Sequence, residues 1–468
     1  MPEEAEHSMT SLHLDPDRLF PGEPSTRAIA RELYARVAEL PILSPHGHVD
    51  PRLLLDDDAF SDPASLFVRD DHYVTRLLHA AGIGLERLGV GEHETDPRET
   101  WRLFCAHWHL FAGTASGYWL TTELVELFGI DEQPSTDSAD QIFDQIATQL
   151  EQPGFRPRAL FDRFGIEVLA TTDDPMDDLA THAALAADPT FMGRVLPTFR
   201  PDAYLDPSAS TFLERVERLG ATTYRSYLDA LADRRQHFIR AGAVSADHGV
   251  VEPYTVELSA SDAAGLFARA MRGALDDAES RTFRGHMLLE MARMSVDDGL
   301  VMTIHAGVRR NHNTETFERF GPDTGHDLPI ATSFVDNLRP LLERFGNIPD
   351  FHLVLFSVDE STYSRELAPL AGFYPSVYIG APWWFLDAPD AALRFRAAVT
   401  ETAGFYRGSG FIDDTRAFLS IPARHDMARR LDAAFLARLV REGRLDETAA
   451  NRIAVDLVDT IPRTAFKL

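Results

Sequence analysis

Short apolar runs recur along the chain, each closed by turn residues and polar side chains. They are "LPILSPHGH" (40–48), "IEVLATTDDP" (166–175), "RVLPTFRP" (194–201) and "AGAVSADHG" (241–249). "GLVMTIHAG" (299–307), "FHLVLFSVDE" (351–360), "SVYIGAPWW" (376–384) and "SGFIDDTR" (409–416) complete the series. Most open as continuous apolar stretches rather than alternating ones, the pattern of strands buried on both faces. Between them lie runs with helical spacing, such as "STFLERVERL", "FARAMRGALDDA", "RGHMLLEMARM" and "SFVDNLRPLLERF". Strand–helix alternation repeated eight times predicts an α/β chain folded as a (β/α)8 TIM-type barrel.

The series is interrupted once. The stretch between the first and second strands is far longer than one helix and its loops require. It carries helical patterns of its own: "SLFVRDDHYVTRLLHAAG", "RETWRLFCAHWHLFAG", "LTTELVELFG" and "ADQIFDQIATQL". This predicts a helical insertion over about 52–160, lying across the barrel mouth. Residues 1–16 are acidic and polar and read as a flexible tail, leaving 17–468 as one barrel domain.

Where the polar residues fall gives the barrel its chemistry. The strand ends carry His46/His48, Asp173/Asp174, Arg200, Asp247/His248, His305, Asp359/Glu360, Trp383/Trp384 and Asp414/Arg416. Active sites of such barrels lie at these ends. His46 and His48 sit two apart on a strand, so their side chains share a face, about 7 Å apart at the Cα level. They are either a ligand pair for one divalent ion or two polar residues on one side of a strand end. First and last strands are neighbours in a closed barrel, so Asp414 can meet them. Asp414 or Asp413 could equally cap the helix that follows. His305 and Asp247 stand between ligand and structural residue. Gly307 is expected to let backbone approach a ligand. Arg200, Arg310 and Arg416 are grips for an anion or salt-bridge partners in an acidic protein. Trp383 and Trp384 are a sugar-stacking platform, or leave one ring in the core.

Composition then removes whole classes of function. The net charge of −28 argues against nucleic acid and anionic membranes as partners. No apolar run approaches the roughly 20 residues that span a bilayer, and the N-terminus does not read as a signal peptide. One cysteine, Cys105, permits no intrachain disulfide and fits the cytoplasm. The sole lysine, Lys467, argues against Schiff-base chemistry, a P-loop and a carbamylated lysine between two metals. A single metal ion, several arginines and an aromatic platform suit a small, polar, carboxylate-bearing substrate.

Along most of its length the chain resembles the uronate isomerases of the amidohydrolase superfamily. The resemblance rests on "PHGH", "DDHY" (70–73), "TTDDPMDDLATH" (171–182), "LPTFRPD" (196–202), "HAGVRRNHN" (305–313), "GPDTGHD" (321–327), "PWWFLD" (382–387) and "DDTRAFLS" (413–420). The family pattern places Cys where Gly47 stands and Ser-Gly where Ala381–Pro382 stand. The resemblance implies a cytoplasmic, homo-oligomeric enzyme of hexuronate catabolism that interconverts aldo- and ketohexuronates by proton transfer through an enediolate. It implies one divalent metal, with zinc the expectation, on His46, His48 and Asp414. Asp414 or a metal-held water is expected to shuttle the proton, with Tyr73 or His72 closing from the insertion as acid. Arg200 and Arg416 would hold the carboxylate; His305 and Asp247 would bind hydroxyls. Arg310, Trp383 and Trp384 would complete the substrate pocket. The rival readings are a mononuclear hydrolase of a sugar lactone or amide, and a non-catalytic sugar-acid-binding protein.

Overall fold

Seven strands of the expected ring form in the computed structural model, which describes residues 11–468. They are β1 (Ile42–Ser44), β2 (Ile166–Ala170), β3 (Arg194–Leu196), β4 (Ser245–Val250), β5 (Val301–Ala306), β6 (Leu353–Ser357) and β7 (Val377–Ile379). All pair in parallel, β1 to β3 in one run and β4 to β7 in another. Single bridges complete the circle. Phe199, beyond β3, bridges both Asp173 and Ala246, and the N–H of Asp247 donates to its carbonyl at 2.9 Å. Gly408 bridges Ile379 at the end of β7. The N–H of His48 donates to the carbonyl of Thr415 at 3.0 Å, returning the eighth segment to the first. The chain is therefore a mixed α/β (β/α)8 barrel.

The strands are shorter than the apolar runs. Pro41 and Pro45 flank β1 and can donate no ladder bond. The expected eighth strand, 409–416, forms no regular strand. Gly410 (φ +75°) and Asp414 (φ +43°) break its extended backbone, so only bridge contacts remain.

The stretch between β1 and β2 folds as short helices, among them His72–Ala80, Pro97–Ala106, Ala115–Thr122, Ala139–Leu150 and Pro157–Arg163. "SLFVRDDHYVTRLLHAAG" does not form one continuous helix. Asp71 ends the first turn and caps the next helix, accepting from the N–H of Tyr73 at 2.8 Å. "SFVDNLRPLLERF" yields only Arg339–Phe345, with Pro340 in its first turn.

The helices between β1 and β2 share one apolar core with Ile42 of β1, Ile166 and Leu169 of β2, and Phe418 and Ile421 beyond the eighth segment. A separate cluster joins Tyr73 and Trp119 from this stretch to Val301, Phe356 and Tyr378 of the strands and to Trp383. The insertion thus reaches the barrel mouth through two aromatic side chains. Of the expected tail, residues 1–10 lie outside the described residues. Ser11 bridges Glu132, and buried Leu12 donates to the carbonyl of Asp131 at 2.8 Å, so this part is held.

Candidate active site

His46 and His48 lie just beyond β1, which ends at Ser44, rather than on the strand as expected, yet their rings still come together. Their ring centroids lie 5.4 Å apart. Asp414, in the left-handed conformation that Asp tolerates better than most residues, turns its carboxylate onto both. Its Oδ1 is 3.0 Å from Nε2 of His48 and 3.4 Å from Nε2 of His46. Neither Asp413 nor Asp414 caps the helices that follow. Asp413 instead accepts from His425 at 3.0 Å.

A third imidazole stacks on the first. His305, near the end of β5, lies 4.6 Å from His46, ring to ring. Its Nδ1 donates to Oδ1 of Asp247 at 2.6 Å, which leaves Nε2 facing the cleft. Asp247, wholly buried, also accepts from Thr303 Oγ1 at 2.6 Å and lies 3.4 Å from Arg200. Burial opposes the charge on Asp247, but His305, His46 and Arg200 outweigh it and hold the carboxyl well below its ordinary range. Burial likewise opposes charge on Asp414, and His46 and His48 reverse it. The His46 ring is pushed down by burial and up, on balance, by Asp247 and Asp414. For His48 burial prevails and the ring shifts down.

From the insertion come His72 and Tyr73. Burial, with Arg416 nearby, lowers His72 to about 3, so its ring is neutral at physiological pH. It stacks on Tyr73 and meets the edge of Trp384. The Tyr73 hydroxyl donates to Asp387 Oδ2 at 3.0 Å, and Arg424 donates to the same oxygen at 3.0 Å. Burial, then Asp387, raises the phenol well above its ordinary range.

The arginines differ in how fully the chain already engages them. Arg200 donates to Asp202 at 2.8 Å. Arg310 pairs with Asp327 at 2.9 Å and lies over the Trp384 ring at 4.9 Å. Arg416 donates to Asp323 at 3.1 Å, its one carboxylate partner among the described residues. Trp383 and Trp384 are both buried. Trp383 sets its edge against His305, and Phe385 stacks on Trp384.

All the predicted site residues except Asp247 line one cleft of about 630 Å³, which includes space open to solvent. Asp247 lies behind His305 and Arg200 and reaches the cleft through those two side chains. Gly307 has φ +95°, and a Cβ there would stand 2.4 Å from Thr332 Oγ1. It serves a left-handed turn packed on Thr332, not approach to a ligand. Gly47 is under no such demand: a Cβ would meet its neighbours at 3.5–3.6 Å, ordinary contact. The strand ends at Asp173 and Asp174 serve structure. Asp173 accepts from Thr171 and from the Thr198 N–H, and Asp174 accepts from Tyr204 at 2.6 Å. Sequence reasoning missed Asp71, Asp323 and Arg424 in the cleft wall, and Asp387 behind Tyr73. Three of these had a signal, since "DDHY", "GPDTGHD" and "PWWFLD" contain Asp71, Asp323 and Asp387. Arg424 lies in "PARHDMARR", which reads as an ordinary helix face.

One donor from each of His46, His305 and Asp414 lies within 4.8 Å of the others. Nε2 of His46, Nε2 of His305 and Oδ1 of Asp414 are buried without a hydrogen bond. Such atoms cost about 1–3 kcal/mol each unless something meets them. Three of them converging, two imidazoles and one carboxylate, suit a divalent cation. His305 stands in this cluster where His48 was expected, and the carboxylate behind it is the usual support of a ligating histidine.

Fold and site together define a (β/α)8 barrel enzyme with a His/His/Asp cluster, of a kind suited to a metal, at the C-terminal strand ends. A family model described as glucuronate isomerase matches residues 25–462. A uronate isomerase of Corynebacterium efficiens is 50% identical over 98% of this chain and 100% of its own length. A glucuronate isomerase structure from Caulobacter crescentus superposes with a TM-score of 0.96 at 48% identity, covering 98% of this chain and 97% of its own. A uronate isomerase structure from Thermotoga maritima gives a TM-score of 0.91 at 26% identity, over 97% and 99%. The chain belongs to the uronate isomerase family and is an isomerase.

Proposed function

We infer that this enzyme interconverts aldohexuronates and ketohexuronates, D-glucuronate with D-fructuronate or D-galacturonate with D-tagaturonate, by moving a proton between C2 and C1. The observation that carries this reading is one cleft holding the donor cluster, Arg416 with a partly exposed guanidinium, and Tyr73. A zinc ion on His46, His305 and Asp414, with His48 on the same carboxylate, would polarise the substrate's carbonyl and neighbouring hydroxyl oxygens.

The protein's own groups then divide the remaining work. Arg416 takes the substrate carboxylate in exchange for Asp323, and Arg200, which lines the same cleft, adds positive charge. Asp414, held ionised, removes the C2 proton and returns it at C1. Tyr73, whose phenol keeps its proton, turns that proton from Asp387 to O1 as charge develops there in the enediolate, and takes the proton of the C2 hydroxyl in return. His72, neutral, packs Tyr73 and Trp384 rather than acting as a cationic acid. Asp247 acts through His305 and Arg200. Arg310 and the two tryptophans close the sides of the pocket.

No helix among the described residues is long and apolar enough to cross a membrane. We read the enzyme as a cytoplasmic homo-oligomer, an assembly state that light scattering measures. Incubation with D-glucuronate and D-galacturonate, followed by assay for ketose, tests the function. Ketose from either supports it. Hydrolysis of a sugar lactone with no ketose from either uronate would overturn it.

A further inference from the structure

Arg424 sits where no solvent-facing arginine would. It is 2% exposed, and its guanidinium lies 3.6 Å over the ring of Trp119. It donates to Asp387 Oδ2 at 3.0 Å and to Ser420 Oγ at 3.0 Å, and reaches the carbonyl of Asp413 at 3.5 Å. Asp387 Oδ2 also accepts from the Tyr73 hydroxyl, while its Oδ1 is buried and unpartnered. These residues come from distant parts of the chain. Tyr73 and Trp119 belong to the insertion, Asp387 follows β7, and Arg424 lies in the helix Ile421–Arg441. A buried charge pair is a weak source of stability, because desolvation offsets much of its attraction. Its geometry is specific here: it holds one hydroxyl, at the wall of the cleft, in one direction.

We propose that Asp387 and Arg424 are a positioning pair for the reaction: Asp387 holds the Tyr73 oxygen at the cleft wall by accepting its proton, a bond Tyr73 exchanges for the substrate oxygen when it donates, and Arg424 holds Asp387 in place. The proposal rests on the role given above to Tyr73 as proton donor. It makes closure of the insertion over the barrel part of the chemistry, since the donor comes from one and its anchor from the other. A displaced hydroxyl loses on the order of 100-fold in rate when alignment fails by about 1 Å. The loss falls on kcat, because Tyr73 acts on charge that develops in the transition state.

The test is a double-mutant cycle on hexuronate turnover with Tyr73→Phe and Asp387→Asn, beside Arg424→Lys and Arg424→Met. D387N is expected to lower kcat on the order of 100-fold, with KM within about threefold. In the Y73F background the same change is expected to cost no more than about twofold further. R424K is expected to recover most of the activity that R424M loses. A merely structural role would lower turnover equally in both backgrounds, and that result overturns the proposal. Wild-type kcat in D387N with Y73F impaired overturns the positioning pair and leaves the Tyr73 role standing. Full turnover in Y73F overturns that role and the pair with it. Should D387N fail to fold, R424K against R424M in the two Tyr73 backgrounds applies the same criterion.

Discussion

His305 donates its Nδ1 proton to Asp247 at 2.6 Å and so presents Nε2 to His46 and Asp414. A carboxylate can only accept, and this one is held ionised, so the bond fixes the tautomer. Asp247 is therefore part of the site without lining the cleft.

Asp247→Asn removes the charge but keeps the shape. Its amide oxygen can still accept, yet the imidazole loses the anion that makes Nε2 a stronger donor. Metal affinity is expected to fall about 10- to 100-fold. Competition against a chelator of known affinity measures this, and unchanged retention of metal would show that His305 binds no ion.

Asp414→Asn acts on a different link, since Asp414 meets both His46 and His48 through one oxygen. The variant is expected to lose metal and at least about 100-fold in kcat. Near-normal turnover would exclude Asp414 as the group that moves the proton. Dialysis of the wild-type protein against a chelator gives the companion result: activity falls and returns with added zinc.

Arg416 is engaged by Asp323 in the structure, and a substrate carboxylate must replace that partner. Asp323→Asn is expected to lower KM for the uronate by a few fold, because the competitor loses its charge. Arg416→Met is expected to raise KM about tenfold, the value of one lost charge-assisted hydrogen bond at a partly exposed site. If both variants kept the wild-type KM, the carboxylate would be held elsewhere.

The barrel was legible because its strands are continuous apolar runs that end in polar residues, and seven of the runs overlap the strands observed. The eighth could not be read correctly. Its apolar content is that of a strand, but left-handed backbone at Gly410 and Asp414 is set by packing and closure. The spacing of His46 and His48 left a ligand pair and two polar neighbours equally open, and Asp414 and His305 meet them only in the folded chain. Asp247 was found as a strand-end residue, but spacing does not show that it lies behind His305 rather than in the cleft. Arg424 was illegible for a deeper reason. Its partners Asp387, Trp119 and Ser420 meet only in the folded chain, and nothing local distinguishes it from Arg429 or Arg430 in the same helix. Gly47 stands where the family pattern places Cys, and the space around it accepts a side chain.

Glu123 gives the clearest dependence on pH away from the metal cluster. It is 7% exposed at the end of the helix Ala115–Thr122. Burial first, and then Asp71, raise its carboxyl from 4.5 to about 8, with Arg424 pulling the other way. Below about 4.5 the group is protonated in folded and unfolded chains alike, and its stability contribution is fully present. As pH rises the unfolded chain ionises first, so that stability is lost progressively until the folded carboxyl itself ionises near 8. Glu123→Gln, which mimics the protonated form, is therefore expected to be the more stable protein at pH 8 and above, by on the order of 5 kcal/mol. The advantage shrinks as pH falls and vanishes below about 4.5. Urea denaturation of both proteins at several pH values reads this difference directly. Parallel stability curves would mean that Glu123 finds a partner that keeps its charge within the fold.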